Sequence, residues 1–212
     1  MALVDKTLET AILSVFNSMS SMTSGGDAYC AKNMANAIKT YILTATASSI
    51  DSGTVSSTSS YVGKGTGQPG CFVIDNSDLE TDLYDVFTAE NTTDNDIADG
   101  IANSVDTACT KSGIISLNTV GVLTPPSPAT PIDPYSGTGK GTFSGSKSVI
   151  SNKLKGISGT KGTFEKMREM ISGGDALFAK DLASAIGDYL RGGSISVVLD
   201  SPITGSGTGS VA

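Results

Sequence analysis

Ser24-Gly25-Gly26-Asp27-Ala28, followed by Ala31-Lys32, Ala35, Ala37-Ile38 and Tyr41-Ile42, is the stretch on which the reading of this chain turns. It returns as Ser172-Gly173-Gly174-Asp175-Ala176, then Ala179-Lys180, Ala183, Ala185-Ile186 and Tyr189-Leu190, every position moved by 148. A weaker copy lies between them. There Asp94, Ala98, Ile101-Ala102-Asn103, Val105 and Thr107 match Asp27, Ala31, Met34-Ala35-Asn36, Ile38 and Thr40. Internal repetition at a fixed period decides architecture before any single residue does.

The copies extend outward. Upstream, Leu8-Glu9-Thr10, Ile12 and Val15-Phe16 return as Leu79-Glu80-Thr81, Leu83 and Val86-Phe87; a third copy keeps only Ile150, Leu154 and Ile157. Downstream, each copy closes on a Gly/Thr-rich run: Tyr61-Val62-Gly63-Lys64-Gly65-Thr66, then Gly137-Thr138-Gly139-Lys140-Gly141-Thr142, then Thr204-Gly205-Ser206-Gly207-Thr208-Gly209. Three repeat modules follow, 1–70, 71–145 and 146–212. Each is too small to be robust alone.

Within a module, Ala28, Ala31, Met34-Ala35, Ile38 and Tyr41-Ile42 fall at three- and four-residue steps, which make one helical face. Leu8, Ile12, Val15-Phe16 and Met19 give the matching stripe of a preceding helix over about residues 6–20, and Gly25-Gly26 makes the pair an antiparallel hairpin. Asp27, Asp94 and Asp175 stand where an N-cap stands, before the apolar run. Capping explains both their position and their recurrence better than ligation does. The Met19/Met22 and Met167/Met170 pairs, at helical spacing, read as core rather than as a ligand groove.

After each second helix the period changes. Ala47–Ile50, a turn at Asp51-Ser52-Gly53, and Thr54–Ser57 read as strand, turn, strand. Gly113–Leu117 with Val120–Leu123 takes the same role in module two, and Ser194–Leu199 with the turn Asp200-Ser201-Pro202 in module three. The fold class expected is therefore α+β: three tandem repeats, each a helical hairpin followed by a small antiparallel β element. Two-stranded ribbons are marginal in isolation, so these elements should pair with each other or with other chains. A proline-rich excursion over 124–134 holds five of the seven prolines and reads as extended and unable to join a sheet centre.

Composition excludes several classes of function. The net charge is −7 and the 14 Lys and Arg are scattered, which argues against nucleic-acid binding. No apolar run approaches the ~18 residues that span a membrane. Met1-Ala2-Leu3-Val4-Asp5-Lys6 lacks the pattern of a secretory signal, so a cytoplasmic site of synthesis and assembly is expected. Cys30, Cys71 and Cys109, odd in number and unevenly spaced, read as reduced packing thiols. There is no His, which removes the commonest general base and metal ligand.

The remaining chemical candidates are weak. Gly137–Thr142 resembles the end of a phosphate loop, but Pro134 stands where that loop needs Gly and Gly141 where it needs Ser or Thr. Asp94, Asp96 and Asp99 cluster, as do Asp75, Asp78, Glu80 and Asp82; the calcium-loop reading of Asp94-Asn95-Asp96 lacks the later Gly and Glu. Asn91-Thr92-Thr93 fits a glycosylation triplet that a cytoplasmic chain would not use. No catalytic, cofactor-binding or metal residue is assigned, no cofactor is expected, and the chain reads as no enzyme.

The opening Met-Ala-Leu-Val, the amphipathic helix, the Gly-Gly-Asp-Ala start, the Ala-Lys-x-x-Ala-x-Ala-Ile-x-x-Tyr helix and the Gly/Thr-rich end resemble virion structural proteins from the tail, baseplate or neck region of contractile-tailed bacteriophages. The resemblance covers modules one and three well and module two loosely; it departs in having three modules. It implies a non-enzymatic structural protein of the virion, present as a homo-oligomer or in many copies, with other virion proteins as partners and neither nucleic acid nor membrane. Two other readings are a capsid decoration or cement protein, and a soluble module that binds a ligand or glycan.

Overall fold

The computed structural model describes residues 3–56, 58–90, 92–111 and 114–212. Met1-Ala2 of the N-terminal reading, Ser57 of the first strand pair, Asn91 of the glycosylation triplet and Gly113 of the second strand pair lie outside them.

The order of elements is α1 (Asp5–Met19), α2 (Gly26–Ile42), β1 (Ala47–Val55), β2 (Ser59–Gly67), α3 (Asn76–Thr88), α4 (Asp94–Lys111), β3 (Ile114–Thr124), β4 (Ile132–Ser144), α5 (Ser148–Lys155), β5 (Gly156–Ile157), β6 (Thr160–Lys161), α6 (Thr163–Arg168), α7 (Gly174–Arg191), β7 (Ser194–Leu199) and β8 (Ile203–Val211). The α+β class is as expected. The three β elements pair with each other. Hairpins β1–β2, β3–β4 and β7–β8 join into one closed antiparallel barrel, with β1 pairing β8 to close it. Closure removes the edges that a lone hairpin leaves unpaired.

Each odd-numbered barrel strand leaves a helix and each even-numbered one ends a hairpin, so all helices gather at one end of the barrel. The three hairpin turns lie at the other. The helices form a ring: α1 packs on α2 and α7, α2 on α3, α3 on α4, α4 on α5, and α5 and α6 on α7. One continuous apolar core runs through both layers.

The Gly/Thr-rich runs are the barrel strands β2, β4 and β8. In β2, β4 and β8 the glycines face the lumen and the alternating Ser, Thr and Lys face outward. Barrel diameter falls with strand number, and about eight strands leave room for side chains to fill the interior. With six, one strand of each hairpin must give up its side chains. The lumen is filled from β1, β3 and β7 by residues such as Ile115, Leu117, Ile195 and Val197. A Cβ on Gly141 would lie 2.6 Å from Ile195 Cγ2.

Three local expectations are corrected. Asp51-Ser52-Gly53 is no turn: it is the middle of β1, with Asp51 fully buried in the lumen and Gly53 close against the backbone of β8. Asp27 and Asp175 do not cap. The caps of α2 and α7 are Gly25 and Gly173, both left-handed at φ 72° and 84°, a conformation open to Gly at little cost. The two Asp fall in the first helical turn, where a carboxylate still favours the dipole. The proline-rich excursion does enter the sheet. Residues 125–131 form the β3–β4 connection, but Pro134 lies within β4. There the register slips between Gly121↔Tyr135 and Leu123↔Ile132, so Asp133-Pro134 bulges opposite Val122 and Pro134 owes no ladder bond.

The two ends of the chain are tied by a polar cluster. Arg191, at the end of α7, donates to both oxygens of Asp5 in α1 at 2.9 Å, and Tyr41 Oη donates to Asp5 Oδ1 at 2.5 Å. Arg191, then Tyr41, hold the Asp5 carboxyl below the usual carboxylate range, as Lys155 and Ser151 do for Asp99. A carboxyl whose pKa is lower folded than unfolded contributes stability above its unfolded pKa, and that contribution disappears as pH falls through the folded value. The chain has no His, and burial pushes the Cys30 and Cys109 thiols up to about 11 and about 12. Thermal stability should therefore be flat from about pH 5 to pH 8 and fall below about pH 4. Arg191→Gln should cost about 1 kcal/mol at pH 7, the pair being part-exposed and screened. That difference from the parent should shrink below pH 4, as melting curves across the range would show.

Candidate functional site

The N-termini of α2, α4 and α7 are the ends remote from the barrel, since each helix runs toward a barrel strand. They surround an apolar hollow of about 300 Å³. Each third of the chain supplies a wall. Phe16, Met19, Cys30 and Met34 come from α1 and α2; Val86, Phe87, Ile97 and Ile101 from α3 and α4; Phe164, Met167 and Phe178 from α6 and α7. Phe178 is the anchor. It meets Phe16 edge-on at 5.6 Å and stacks with Phe164 at 5.7 Å. Phe16 and Phe164, and Met19 and Met167, stand 148 positions apart and line the same opening.

The Met pairs thus divide. Met19 and Met167 are half-buried on the wall of the hollow, while Met22 and Met170 are exposed. At the mouth stand Asp27 and Asp175, both exposed and, among the described residues, in no ion pair. Asp94, at the corresponding place on α4, is paired with Arg168. Cys30, on the wall, is a thiol at neutral pH because burial, and then Asp27, push its pKa up to about 11.

The other candidates disperse. Asp96 and Thr93 form a reciprocal cap at the start of α4, Thr93 N–H and Oγ1 donating to Asp96 Oδ2 at 2.8 and 2.6 Å. Asp99 accepts from Lys155 Nζ at 2.7 Å. Asp75 caps α3 by accepting from Ser77 N–H at 2.9 Å, and Asp78 pairs with Lys111 at 3.0 Å. Hydrogen bonds from Ser77 and from Thr93 hold the Asp75 and Asp96 carboxyls below their ordinary range. Asp75, Asp78, Asp96 and Asp99 thus each have a separate local partner, and among the described residues none is shared with Glu80 or Asp82. Among the described residues no group of three or more His, Cys, Asp or Glu is placed to hold a metal ion. Lys64 and Lys140 point outward from the middle of strands β2 and β4 rather than standing before a helix, as a phosphate loop requires. Among the described residues no helix is long and apolar enough to cross a membrane.

Sequence reading missed Asp51. Its Oδ1 accepts from Ser49 Oγ at 2.7 Å, and its Oδ2 has no partner in the lumen. Farther along the lumen Tyr61 and Thr119 share a hydrogen bond of 2.5 Å. Hydropathy could not have found it, since the buried positions 49 and 51 are Ser and Asp while the exposed position 50 is Ile, and the Asp and Gly drew a turn assignment. A further hollow of about 430 Å³ between α1 and α2 is lined by Thr7, Ser14, Asn33 and Asn36 among others, with no charged group.

No known protein family, curated protein or solved structure matches the chain. Its function has to be argued from its own geometry.

Proposed function

We propose that the chain is a non-enzymatic structural protein of a tailed-phage particle, built from three tandem repeats and contacting other virion subunits in the tail, baseplate or neck. The observation that carries this is the correspondence of place. Residues 148 apart in sequence hold like positions on α2 and α7, and three hairpins, each with one strand in which Gly alternates with Ser, Thr or Lys, close one barrel. A single chain arranged this way offers three similar contact sets at each end, which suits a partner ring whose symmetry is a multiple of three. The exterior of the barrel carries mostly hydroxyls and few charges, a surface suited to permanent contact. The β3–β4 hairpin supports a projecting contact, because residues 132–137 of β4 overhang the pairing with β7, which starts at Gly139.

Three-dimensional reconstruction of intact particles tests the reading. Density that fits the barrel and helix ring on a three-fold or six-fold axis of tail, baseplate or neck is the expected result. Density for the chain on heads lacking tails would favour the decoration reading instead, and particles with no such density would remove the proposal.

A further inference from the structure

We propose that the hollow at the barrel-remote end of the helix layer is a docking site for a partner polypeptide, taking an aromatic or aliphatic side chain that is followed by Lys or Arg. The inference goes beyond the virion reading and does not require it.

The apolar half follows from the walls. A space of about 300 Å³ lined by Phe16, Phe87, Phe164, Met19 and Met167 is at the small end of the range for ligand pockets and holds one or two large side chains. Methionine walls adapt to differently shaped guests. Exposed apolar residues continue the surface outward: Met22, Met170 and the fully exposed Ile171 lie on the segments that lead into α2 and α7. Exposed apolar residues beside an apolar opening are costly to leave in water and mark a contact surface.

The cationic half follows from the charges at the mouth. Three helix N-termini converge there, each worth about half a positive charge. Each first turn carries an Asp. On α4 that Asp is consumed by Arg168. On α2 and α7 the full charge of Asp27 and of Asp175 exceeds the half-charge of its helix, and neither has a cation among the described residues. The rim is therefore net negative above an apolar floor. A guest with a bare carboxylate is repelled; one with an ammonium or guanidinium beside its apolar group satisfies both features.

The test uses the full chain labelled with ¹³C at the methionine methyls, which places reporters on the wall (Met19, Met34, Met167) and outside it (Met22, Met170). The probes are acetyl-Ile-Phe-Lys-Lys-amide, acetyl-Ile-Phe-Glu-Glu-amide and octylammonium. The Lys peptide should shift the Met19, Met34 and Met167 methyls saturably and bind about ten-fold or more tightly than the Glu peptide, which is the effect of about 1.4 kcal/mol of rim electrostatics. Asp27→Asn with Asp175→Asn should erase that preference while the methyl spectrum of the free protein stays in place, since both side chains are exposed. Absence of saturable shifts at the wall methyls, equal binding of the two peptides, or a preference that survives the double substitution would overturn the proposal. So would octylammonium binding more tightly than the Lys peptide, which would make the site one for a free amine.

Discussion

Gly205→Ala should lower the melting temperature by roughly 6–12 °C, the effect of about 3 kcal/mol in a chain of this size. An added Cβ would lie 2.2 Å from the Ser52 carbonyl oxygen and 2.4 Å from Gly53 Cα. Both are backbone atoms of β1, held by the Gly53↔Gly205 pairing that closes the barrel. No side chain is there to swing aside, so relief requires β1 and β8 to separate at the seam. Gly121→Ala should behave likewise, for its Cβ would meet the Val62 carbonyl at 2.1 Å and Gly63 Cα at 2.3 Å, across β3 and β2. The control is Gly26→Ala in the first turn of α2, where the nearest atom is Met19 Cε at 3.6 Å. There Ala should be neutral or stabilising by up to about 1 kcal/mol, because it loses less conformational freedom than Gly. Calorimetric melts of the three variants decide it: a Gly205→Ala protein that melts with the parent would mean the barrel is not closed at this seam.

The glycine result bears on what can be read from the sequence. Most helices were legible because an amphipathic stripe is written in apolar residues: Leu8, Ile12 and Val15 in α1, and Ala31, Met34, Ala35 and Ile38 in α2, are all buried as spaced, whereas Ile157, read as the end of a third such stripe, is exposed in β5. The strands were only half legible. A strand normally announces itself by apolar residues at every second position. In β2, β4 and β8 the lumenal position is Gly and the outer one Ser, Thr or Lys, so hydropathy alternates hardly at all and the runs look like linkers. The same narrowness produced the Asp51-Ser52-Gly53 error, since Asp and Gly are turn residues by composition and lumenal residues here by necessity. Closure was out of reach of local reading altogether, because β1 and β8 come from opposite ends of the chain. The hollow was hidden for a related reason. Phe16, Met19 and Met167 carry the spacing of core residues, and only the meeting of three helix pairs around one opening turns them into a wall.

The sequence match between α2 and α7 also sets up a controlled comparison. Tyr189→Phe should cost about 1.5–3 kcal/mol, whereas Tyr41→Phe, the like substitution 148 positions earlier, should cost under about 1 kcal/mol. Both tyrosines are almost wholly buried near the end of their helices, and each donates to a carboxylate from another part of the ring. Tyr41 donates to Asp5, and Tyr189 to Asp106 Oδ1 at 2.6 Å. The difference lies in what remains when the hydroxyl is removed. Asp5 keeps two bonds from Arg191 at 2.9 Å. Asp106, half-buried on α4, has no ion-pair partner among the described residues and is left with a stranded oxygen, the costly outcome for a charged acceptor. Ring packing is preserved in both substitutions, since Phe retains the edge contact that Tyr189 makes with Phe143 at 5.3 Å. Tyr189→Ala removes that contact as well and should cost about 3–5 kcal/mol through the cavity it opens beside Phe143. Paired denaturant titrations give the answer directly. Equal costs for Tyr41→Phe and Tyr189→Phe would show that Arg191 does nothing to hold Asp5 once the tyrosine is gone, and that the first and last helices are joined by apolar packing alone.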